Sequence, residues 1–194
     1  SYVPSTGSIL YKTTVAGAYA VRVVHEGGLV DREYALDVVP DVAAASASRA
    51  VGEGVSSVVA GRVARFNVTV RDMFGNIAVG SSVSVIAALS GMASVVPRAD
   101  YSVDGGRVQF EYECTLSGMY SLSVTLGNGV DGGIAGSPFS VSVLAGGASA
   151  GESLVSVPGS VVAGQMLEWK VKAVDAFGNR VTDYVEWACV VVLG

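Results

Sequence analysis

The chain has 194 residues, of which 51% are apolar and 15% are charged, and its net charge at pH 7 is −5. This composition is typical of a folded chain and excludes an intrinsically disordered one. The basic residues are scattered, which argues against a nucleic-acid partner, and the longest apolar run, ACVVVLG, is too short to cross a bilayer, so this segment is predicted to make no membrane contact.

Two strand-like stretches near the N-terminus recur later in the chain. VAGAYAVRV at 15–23 resembles LSGMYSLSV at 116–124, and YALDV at 34–38 resembles FSVSV at 139–143. We therefore interpret residues 1–46 as the C-terminal part of a repeat. The alignment needs two extra residues in this first copy, because Tyr34 lies 12 residues before Ser46 (46 − 34) whereas Phe139 lies 10 before Ser149 (149 − 139).

Residues 47–146 contain the alternating patterns of one complete repeat. In RVARFNVTVRD, the residues Val63, Phe66, Val68 and Val70 are predicted to share the core side, and RVQFEYEC, MYSLSVTL and PFSVSVL alternate similarly. Short strands separated by Gly-rich turns predict an all-β fold, an antiparallel β-sandwich of seven strands. Its predicted core consists of Phe66, Val68, Phe110, Tyr112, Tyr120, Leu122, Val124 and Phe139.

One phrase is written twice, as RDMFGN at 71–76 and as VDAFGN at 174–179. Asp72 and Asp175 lie 103 residues apart (175 − 72), and VVAG recurs with the same step. A period of about one small domain indicates a tandem array. We interpret residues 147–194 as the N-terminal part of the next repeat, so the sequence is expected to be a piece of a longer protein.

The repeated phrase has the residues of a tight turn. Asp72 and Asn76 can bind main-chain groups of the turn, and Gly75 can supply a positive φ. A bare turn does not need the large Phe74. We therefore expect this ring to fold back as a plug over the end of its own sandwich.

Four motifs follow one another along residues 47–146: VAG with F-x-V-x-x-x-D-x-F-G-N, then D-G-G-R-V-x-F-x-Y, G-x-Y-x-L-x-V and I-A-G-S-P-F-x-V-x-V. This order resembles the filamin-type immunoglobulin-like repeat (filamin/ABP280 repeat family). The resemblance implies tandem sandwiches that dock proteins, and it does not extend to actin binding. The matching residues are Val59, Ala60, Gly61, Phe66, Val68, Asp72, Phe74, Gly75, Asn76, Asp104, Gly105, Val108, Phe110, Tyr112, Gly118, Tyr120, Leu122, Val124, Ile134, Gly136, Ser137, Pro138, Phe139, Val141 and Val143.

Few residues could carry chemistry. His25 is the only histidine and precedes a Glu-Gly-Gly turn, so we expect it in an exposed loop. Cys114 and Cys189 fall at different positions of the repeat and are interpreted as buried free thiols in a reducing compartment. The two DGG triplets are simpler as hairpin turns than as calcium loops. We predict no catalytic residue, no metal ligand and no cofactor, and we do not expect an enzyme.

Asn67-Val68-Thr69 is a possible glycosylation site. Asn67 alternates with two core residues, so it is predicted to face solvent. Its modification would require passage through the secretory route.

The resemblance also implies where a partner would bind. Filamin-type repeats bind extended peptides by β-strand addition to strand C, in the groove between strands C and D. Strand D would lie near Ala93–Val96, and Trp187 would replace Ser84 in the next repeat (187 − 103), so the two repeats would not share a ligand. The alternative is that a neighbouring repeat or another subunit covers this edge. Strand C, which has no Lys, Glu or Pro to protect it and has room beside its small residues Ser84, Ala87 and Ala88, would comprise Val83, Ser84, Val85, Ile86, Ala87, Ala88 and Leu89.

Two functions remain open at this point. The first is a cytoplasmic scaffold, cytoskeletal or flagellar, whose repeats space and dock other proteins. The unpaired Cys114 and Cys189 favour it. The second is an extracellular adhesion array of a cell-surface (gamete-type) protein, which the sequon at Asn67 favours.

Overall fold

The computed structural model describes residues 2–3, 8–78, 83–100, 105–127, 132–182, 187–188, 190 and 192, so Asp104 and Cys189 lie outside the described residues. The described residues form short strands, tight turns and two short 3-10 helices, Ala45–Ala47 and Glu53–Val55. In chain order the strands are β1 Tyr2–Val3, β2 Ser8–Ile9, β3 Gly17–Val21, β4 Val24–His25, β5 Gly28–Leu29, β6 Tyr34–Val38, β7 Arg49–Val51, β8 Ser57–Val59, β9 Val63–Thr69, β10 Val85–Ser90, β11 Arg98–Asp100, β12 Arg107–Glu113, β13 Gly118–Leu126, β14 Phe139–Leu144, β15 Leu154–Ser156 and β16 Lys170–Lys172.

Strands β7 to β14 form two packed sheets, which we call the central sandwich. One sheet has the order β11-β12-β9-β7 and the other has the order β10-β13-β14-β8. All neighbours are antiparallel except β14 and β8, which are parallel. The all-β, immunoglobulin-like sandwich predicted from the alternating patterns is confirmed.

The described residues of the central sandwich form eight strands rather than the predicted seven. Its first strand is divided, since β7 pairs with β9 in one sheet and β8 pairs with β14 in the other. The chain crosses between the sheets at Gly52, whose φ is 139°, a value that favours glycine. A Cβ at Gly52 would also lie 2.6 Å from the carbonyl oxygen of Arg65. Sequence periodicity could not show this division because each half is only three residues long.

The core lies between the two sheets and is centred on aromatic rings. Phe66 and Phe110 are buried and stack with ring centroids 5.0 Å apart and an interplanar angle of 8°. Tyr112 meets Phe66 edge-on, and its hydroxyl donates a 2.7 Å hydrogen bond to the carbonyl of Gly54. The predicted core residues are buried, with Phe139 partly buried at the margin of the cluster.

Two details of the predicted strands were wrong. Val63 is 42% exposed, because the inward positions of β9 are Ala64, Phe66 and Val68, two residues apart. The D strand is Arg98–Asp100, which pairs with β12. Residues 93–96 instead approach β10, where Val95 bridges to Leu89.

The N-terminal segment, described over residues 8–42, repeats the end of the central sandwich. Strands β3 and β6 pair with Gly17 opposite Val38, as β13 and β14 pair with Gly118 opposite Val143. Tyr34 therefore has the place of Phe139. The two copies do differ in length by two residues, but these residues do not lie between Tyr34 and Ser46, where they were predicted. They lie further along the chain, between the linker that follows each strand pair and the next Asp-x-Phe-Gly-Asn turn.

That difference can be read from two equivalent hydrogen bonds. The N–H of Arg71 donates to Oγ of Ser48, 23 residues earlier, and the N–H of Val174 donates to Oγ of Ser153, 21 residues earlier. The C-terminal segment, described over residues 145–182 and at 187, 188, 190 and 192, is thus two residues shorter between its linker and its turn.

We predict that Phe110→Ala destabilises the chain by about 3–5 kcal/mol, because it removes a buried ring and leaves a cavity beside Phe66. Urea unfolding followed by the far-ultraviolet circular dichroism of the β-structure would measure this. Gln109→Ala, at the outward-facing neighbouring position of the same strand, should change the free energy of unfolding by less than about 0.5 kcal/mol. Equal effects of the two substitutions would contradict the assignment of Phe110 to the core.

Candidate functional site: the joints between neighbouring repeats

The first copy of the repeated phrase forms a closed turn directly after β9. Oδ1 of Asp72 accepts hydrogen bonds from the N–H groups of Phe74 and Asn76, both at 2.9 Å. The N–H of Asp72 donates to the carbonyl of Asn76 at 2.9 Å, which closes the loop. Gly75 has φ 90°, so the positive φ predicted there is present.

The second copy forms the same turn. Oδ1 of Asp175 accepts from the N–H groups of Phe177 and Asn179, again at 2.9 Å each, and Gly178 has φ 80°. Asp72 and Asp175 are 0% and 1% exposed, which is rare for carboxylates and requires that their oxygens find donors. Neighbouring main-chain amides supply most of them.

The asparagine of each turn reaches out of its own repeat. Nδ2 of Asn76 donates to the carbonyl of Thr14 at 2.8 Å, and Oδ1 of Asn76 accepts from the N–H of Ala16 at 2.9 Å. One side-chain amide thus pairs with a donor and an acceptor of the N-terminal segment, as a second strand would. We call this contact the N-terminal joint.

The C-terminal joint repeats this geometry one repeat later. Nδ2 of Asn179 donates to the carbonyl of Thr115 at 2.7 Å, and Oδ1 accepts from the N–H of Ser117 at 2.8 Å. The acceptor loop lies between β12 and β13 of the central sandwich. In both joints the asparagine bonds to main-chain atoms of the acceptor loop, so the side chains of that loop do not enter these bonds.

The same carboxylate also holds the linker between repeats. Oδ2 of Asp72 accepts from Nδ2 of Asn76 at 2.7 Å and from the N–H of Asp41 at 3.0 Å. Oδ2 of Asp175 accepts from Nδ2 of Asn179 at 2.8 Å and from the N–H of Gly146 at 2.8 Å. Each aspartate therefore connects the turn, the docking asparagine and the linker.

The expectation that Phe74 plugs its own sandwich was wrong. The ring of Phe74 is 44% exposed and is outside the core cluster. Its counterpart Phe177 lies against Gly61 of the preceding sandwich. The contact is so close that a Cβ added to Gly61 would lie 2.2 Å from Cε2 of Phe177. The ring of Phe177 therefore packs against the neighbouring repeat and not into the core of its own.

Hydrogen bonding controls the ionisation of both aspartates. Burial raises the pKa of Asp72, but the hydrogen bonds from the Asn76 side chain and from the N–H groups of Asp41, Asn76 and Phe74 outweigh it, so the pKa lies below its usual value of 3.8. The pKa of Asp175 is lowered in the same way by Asn179, Gly146 and Phe177. Both carboxylates are therefore ionised at neutral pH.

The predicted strand C is in the structure an edge strand. It begins at Val85, with Val83 and Ser84 ahead of it, and among the described strands of its sheet β13 is the neighbour of β10. The carbonyl of Ser84 accepts from the N–H of Gly127, whereas the N–H and C=O of Leu89 bind Val95 on the other side. The main-chain N–H and C=O groups of the even-numbered residues of this strand thus face β13, and those of the odd-numbered residues face the edge of the sheet.

The side chains of this strand differ from the prediction in part. Val85, Ala87 and Leu89 point into the core, and Ile86 and Ala88 are exposed. Ala87 is thus buried, and the room expected for an incoming strand beside the small residues stays a prediction. Trp187 is 46% exposed in the C-terminal segment.

The remaining predicted residues have simple surroundings. Asn67 is exposed on β9, as expected of an accessible sequon, and its glycosylation stays a prediction. His25 lies exposed in the β4–β5 hairpin, 3.9 Å from Glu26. Cys114 is a buried free thiol, and burial together with the nearby Glu113 raises its pKa.

Among the described residues, His, Cys, Asp and Glu side chains form no cluster of three that could hold a metal ion. In the same part of the chain, no helix is long and apolar enough to cross a membrane.

Comparison with known proteins gives a family and a fold. The family model of the Filamin/ABP280 repeat matches residues 42–140. No curated protein matches the chain in sequence. Among solved structures, the Escherichia coli adhesin FdeC has a TM-score of 0.64 at 24% identity, covering 87% of this chain and 54% of its own.

Two further solved structures share the fold. InvD of Yersinia pseudotuberculosis has a TM-score of 0.53 at 17% identity, with 87% of this chain and 52% of InvD covered. Invasin, a bacterial integrin-binding protein, has a TM-score of 0.52 at 20% identity, with 87% of this chain and 34% of invasin covered. This chain therefore spans about half or less of the length of these proteins.

We predict that acid loosens both joints. Because the folded-state pKa of Asp72 and Asp175 lies below 3.8, their ionised forms contribute stability above that value, and this contribution is lost as the pH falls through the lowered folded-state pKa. Asp175→Asn should lower the melting temperature at neutral pH, since an amide cannot accept all four hydrogen bonds. Melting curves between about pH 6 and pH 2 should also show a shallower acid dependence in this variant than in the parent chain.

The matched control is Asp37→Asn, which removes an exposed carboxylate from β6. It should leave the acid dependence of the parent intact. An Asp175→Asn chain with the same melting temperature and pH profile as the parent would contradict the account of the joint.

Proposed function

The chain belongs to the filamin/ABP280 repeat family, and from this premise we propose that it is a non-catalytic spacer whose neighbouring repeats are held at a defined angle by the Asp-x-Phe-Gly-Asn turns. The observation that carries the proposal is the recurrence of one hydrogen-bond pattern at two joints. Asn76 and Asn179 each pair with one carbonyl and one N–H of the preceding repeat.

Several contacts restrain each joint at once. At the C-terminal joint, Asn179 is bonded to the acceptor loop, Asp175 holds the linker at Gly146, and Phe177 packs on Gly61. A single hydrogen bond contributes only about 0.5–1.5 kcal/mol net, so one alone would leave the repeats free to swing. Together these contacts tie the turn to three separate segments, the acceptor loop, the linker and Gly61, and such multiple restraint is the property that a spacer needs.

We predict that Asn179→Ala loosens the C-terminal joint without unfolding the central sandwich. The N–H of Ser117 loses its acceptor, so its amide hydrogen should exchange about tenfold faster, as expected for the loss of about 1.4 kcal/mol. Small-angle X-ray scattering should show a broader distribution of interatomic distances. Amide exchange measured by NMR gives the residue-specific readout.

Asn67→Ala is the matched control, because Asn67 is an exposed asparagine of the central sandwich outside both joints. It should leave the exchange of Ser117 and the scattering curve unchanged. If Asn179→Ala behaves like Asn67→Ala in both measurements, the joint does not restrain the repeats and the proposed spacer role fails.

We place this spacer at the cell surface, as part of an adhesion array. FdeC is an adhesin and invasin is an integrin-binding protein, and both share the fold of this chain. The second candidate is a cytoplasmic scaffold, cytoskeletal or flagellar, which the buried free thiol of Cys114 favours. Protease treatment of intact cells that carry the full-length parent separates the two: cleavage within the repeats supports the surface array, and protection supports the scaffold.

A second role is docking of a partner strand at β10. This strand is at the edge of its sheet, and its Ala87 main-chain groups face away from β13. The bridge between Leu89 and Val95 closes one end, so an added strand would pair with β10 at Ala87.

We predict that the amide of Ala87 exchanges faster than that of Ala88, whose N–H faces β13. A bound strand would protect Ala87 and leave Ala88 as it was. Amide exchange resolved by NMR, first with the chain alone and then with a partner, tests this. Strong protection of Ala87 in the chain alone would show that the edge is already covered and would remove this role.

A further inference from the structure

The two outer faces of the central sandwich differ in charge. On the β11-β12-β9-β7 sheet, Glu111 lies 3.5 Å from Arg65 and 4.0 Å from Arg98. This sheet therefore has the mixture of positive and negative side chains that is usual on a solvated surface. Its outward-facing charged residues are Arg49, Arg65, Arg98, Asp100, Arg107, Glu111 and Glu113.

The other sheet presents what we call the neutral face. None of the outward-facing residues of its four strands is charged, and the strand pairing aligns Ser90, Ser121 and Ser140 in one row. Larger apolar side chains stand around this row, with Met119 61%, Ile86 55% and Leu144 51% exposed. The neutral face consists of Ser57, Val59, Ile86, Ala88, Ser90, Met119, Ser121, Ser123, Thr125, Ser140, Ser142 and Leu144.

The fold itself does not require this lack of charge. The N-terminal segment repeats the β13–β14 pair in register, and its β6 has Asp37 at the position of Ser142. Arg22, directly after β3, has the position of Ser123 and forms an ion pair with Glu33. The equivalent places in the N-terminal segment thus accept charges, so the fold does not impose the neutral face on the central sandwich.

We propose that the neutral face docks against the same face of a second copy of this chain. A partner with charged groups would lose water on binding and would find no opposite charge here, which is unfavourable. The opposite outer face is excluded as an occupant for that reason. The neutral face of a second copy brings no charge to desolvate, and a two-fold axis would place its hydroxyls opposite hydroxyls, each of which can donate and accept a hydrogen bond.

The area of the neutral face and the small size of its side chains are compatible with such a pairing. Small side chains allow two sheets to pack at about 10 Å, with Met119, Ile86 and Leu144 interdigitating around the serine row. Four strands about 4.8 Å apart and about 20 Å long give a footprint of roughly 400 Å² per copy, about half that of a standard interface, so the expected dimer is weak and transient.

Sedimentation equilibrium of the 194-residue chain, from about 10 µM to about 1 mM, tests the proposal. The parent should show a monomer–dimer equilibrium. Ser123→Arg and Ser142→Asp place the charges of the N-terminal segment at equivalent positions, which the fold accepts, and each should weaken dimerisation at least tenfold. Gln109→Arg, a matched charge on the opposite face, should leave it unchanged. A monomeric parent at all concentrations, or dimers unaffected by both face variants, would overturn the proposal.

A second measurement separates this contact from association through other surfaces. Ser121→Cys places a thiol in the centre of the face, where two copies would bring it close to its own equivalent. Mild oxidation should yield a cross-linked dimer of this variant above the level of the parent and of Gln109→Cys. Equal cross-linking of the two variants would overturn the proposal. The result does not depend on the joints, because Asn179→Ala leaves the neutral face intact and should not alter dimerisation.

Discussion

The joint depends above all on one buried carboxylate. Asp72 and Asp175 each accept four hydrogen bonds, two from the turn that follows, one from the docking asparagine and one from the linker. The cost of burying the charge is offset only when all of these donors are in place. Turn shape, asparagine orientation and linker path are therefore one arrangement, and none of them can change without the others.

The sandwich supplies the rigidity that this arrangement needs. Asp72 follows β9, whose inward residues Phe66 and Val68 are fully buried and stacked or packed in the core. The aspartate is thus held at a fixed point at the end of the sheet, two residues beyond Val70. The packed core therefore fixes the position of the turn that contacts the preceding repeat.

The sequence allowed a correct prediction of most of the fold because alternation reports burial directly. Phe110, Tyr112 and Leu122 were assigned to the core from periodicity, whereas Val63 was misplaced because an apolar residue at a strand end was counted in the wrong phase. The joint could not be predicted, since Asn76 and its acceptor Thr14 are 62 residues apart and the acceptor contributes only main-chain atoms. The one available signal was the repetition of Asn at the same position of both turns, and it was interpreted as local structure. The neutral face could not be predicted without the register of the strand pairs, because only that register shows which residues share a surface.

The use of main-chain atoms by the acceptor loops has a consequence for how such proteins change over generations. Thr14 and Ala16 at one joint, and Thr115 and Ser117 at the other, provide a carbonyl and an N–H that any non-proline residue has. A loop of this kind can diverge in sequence and still receive the turn of whichever repeat comes next. Duplication, loss or reordering of repeats by recombination would then preserve the geometry of every junction, so the length of the rod can be altered by inheritance without redesign of its parts.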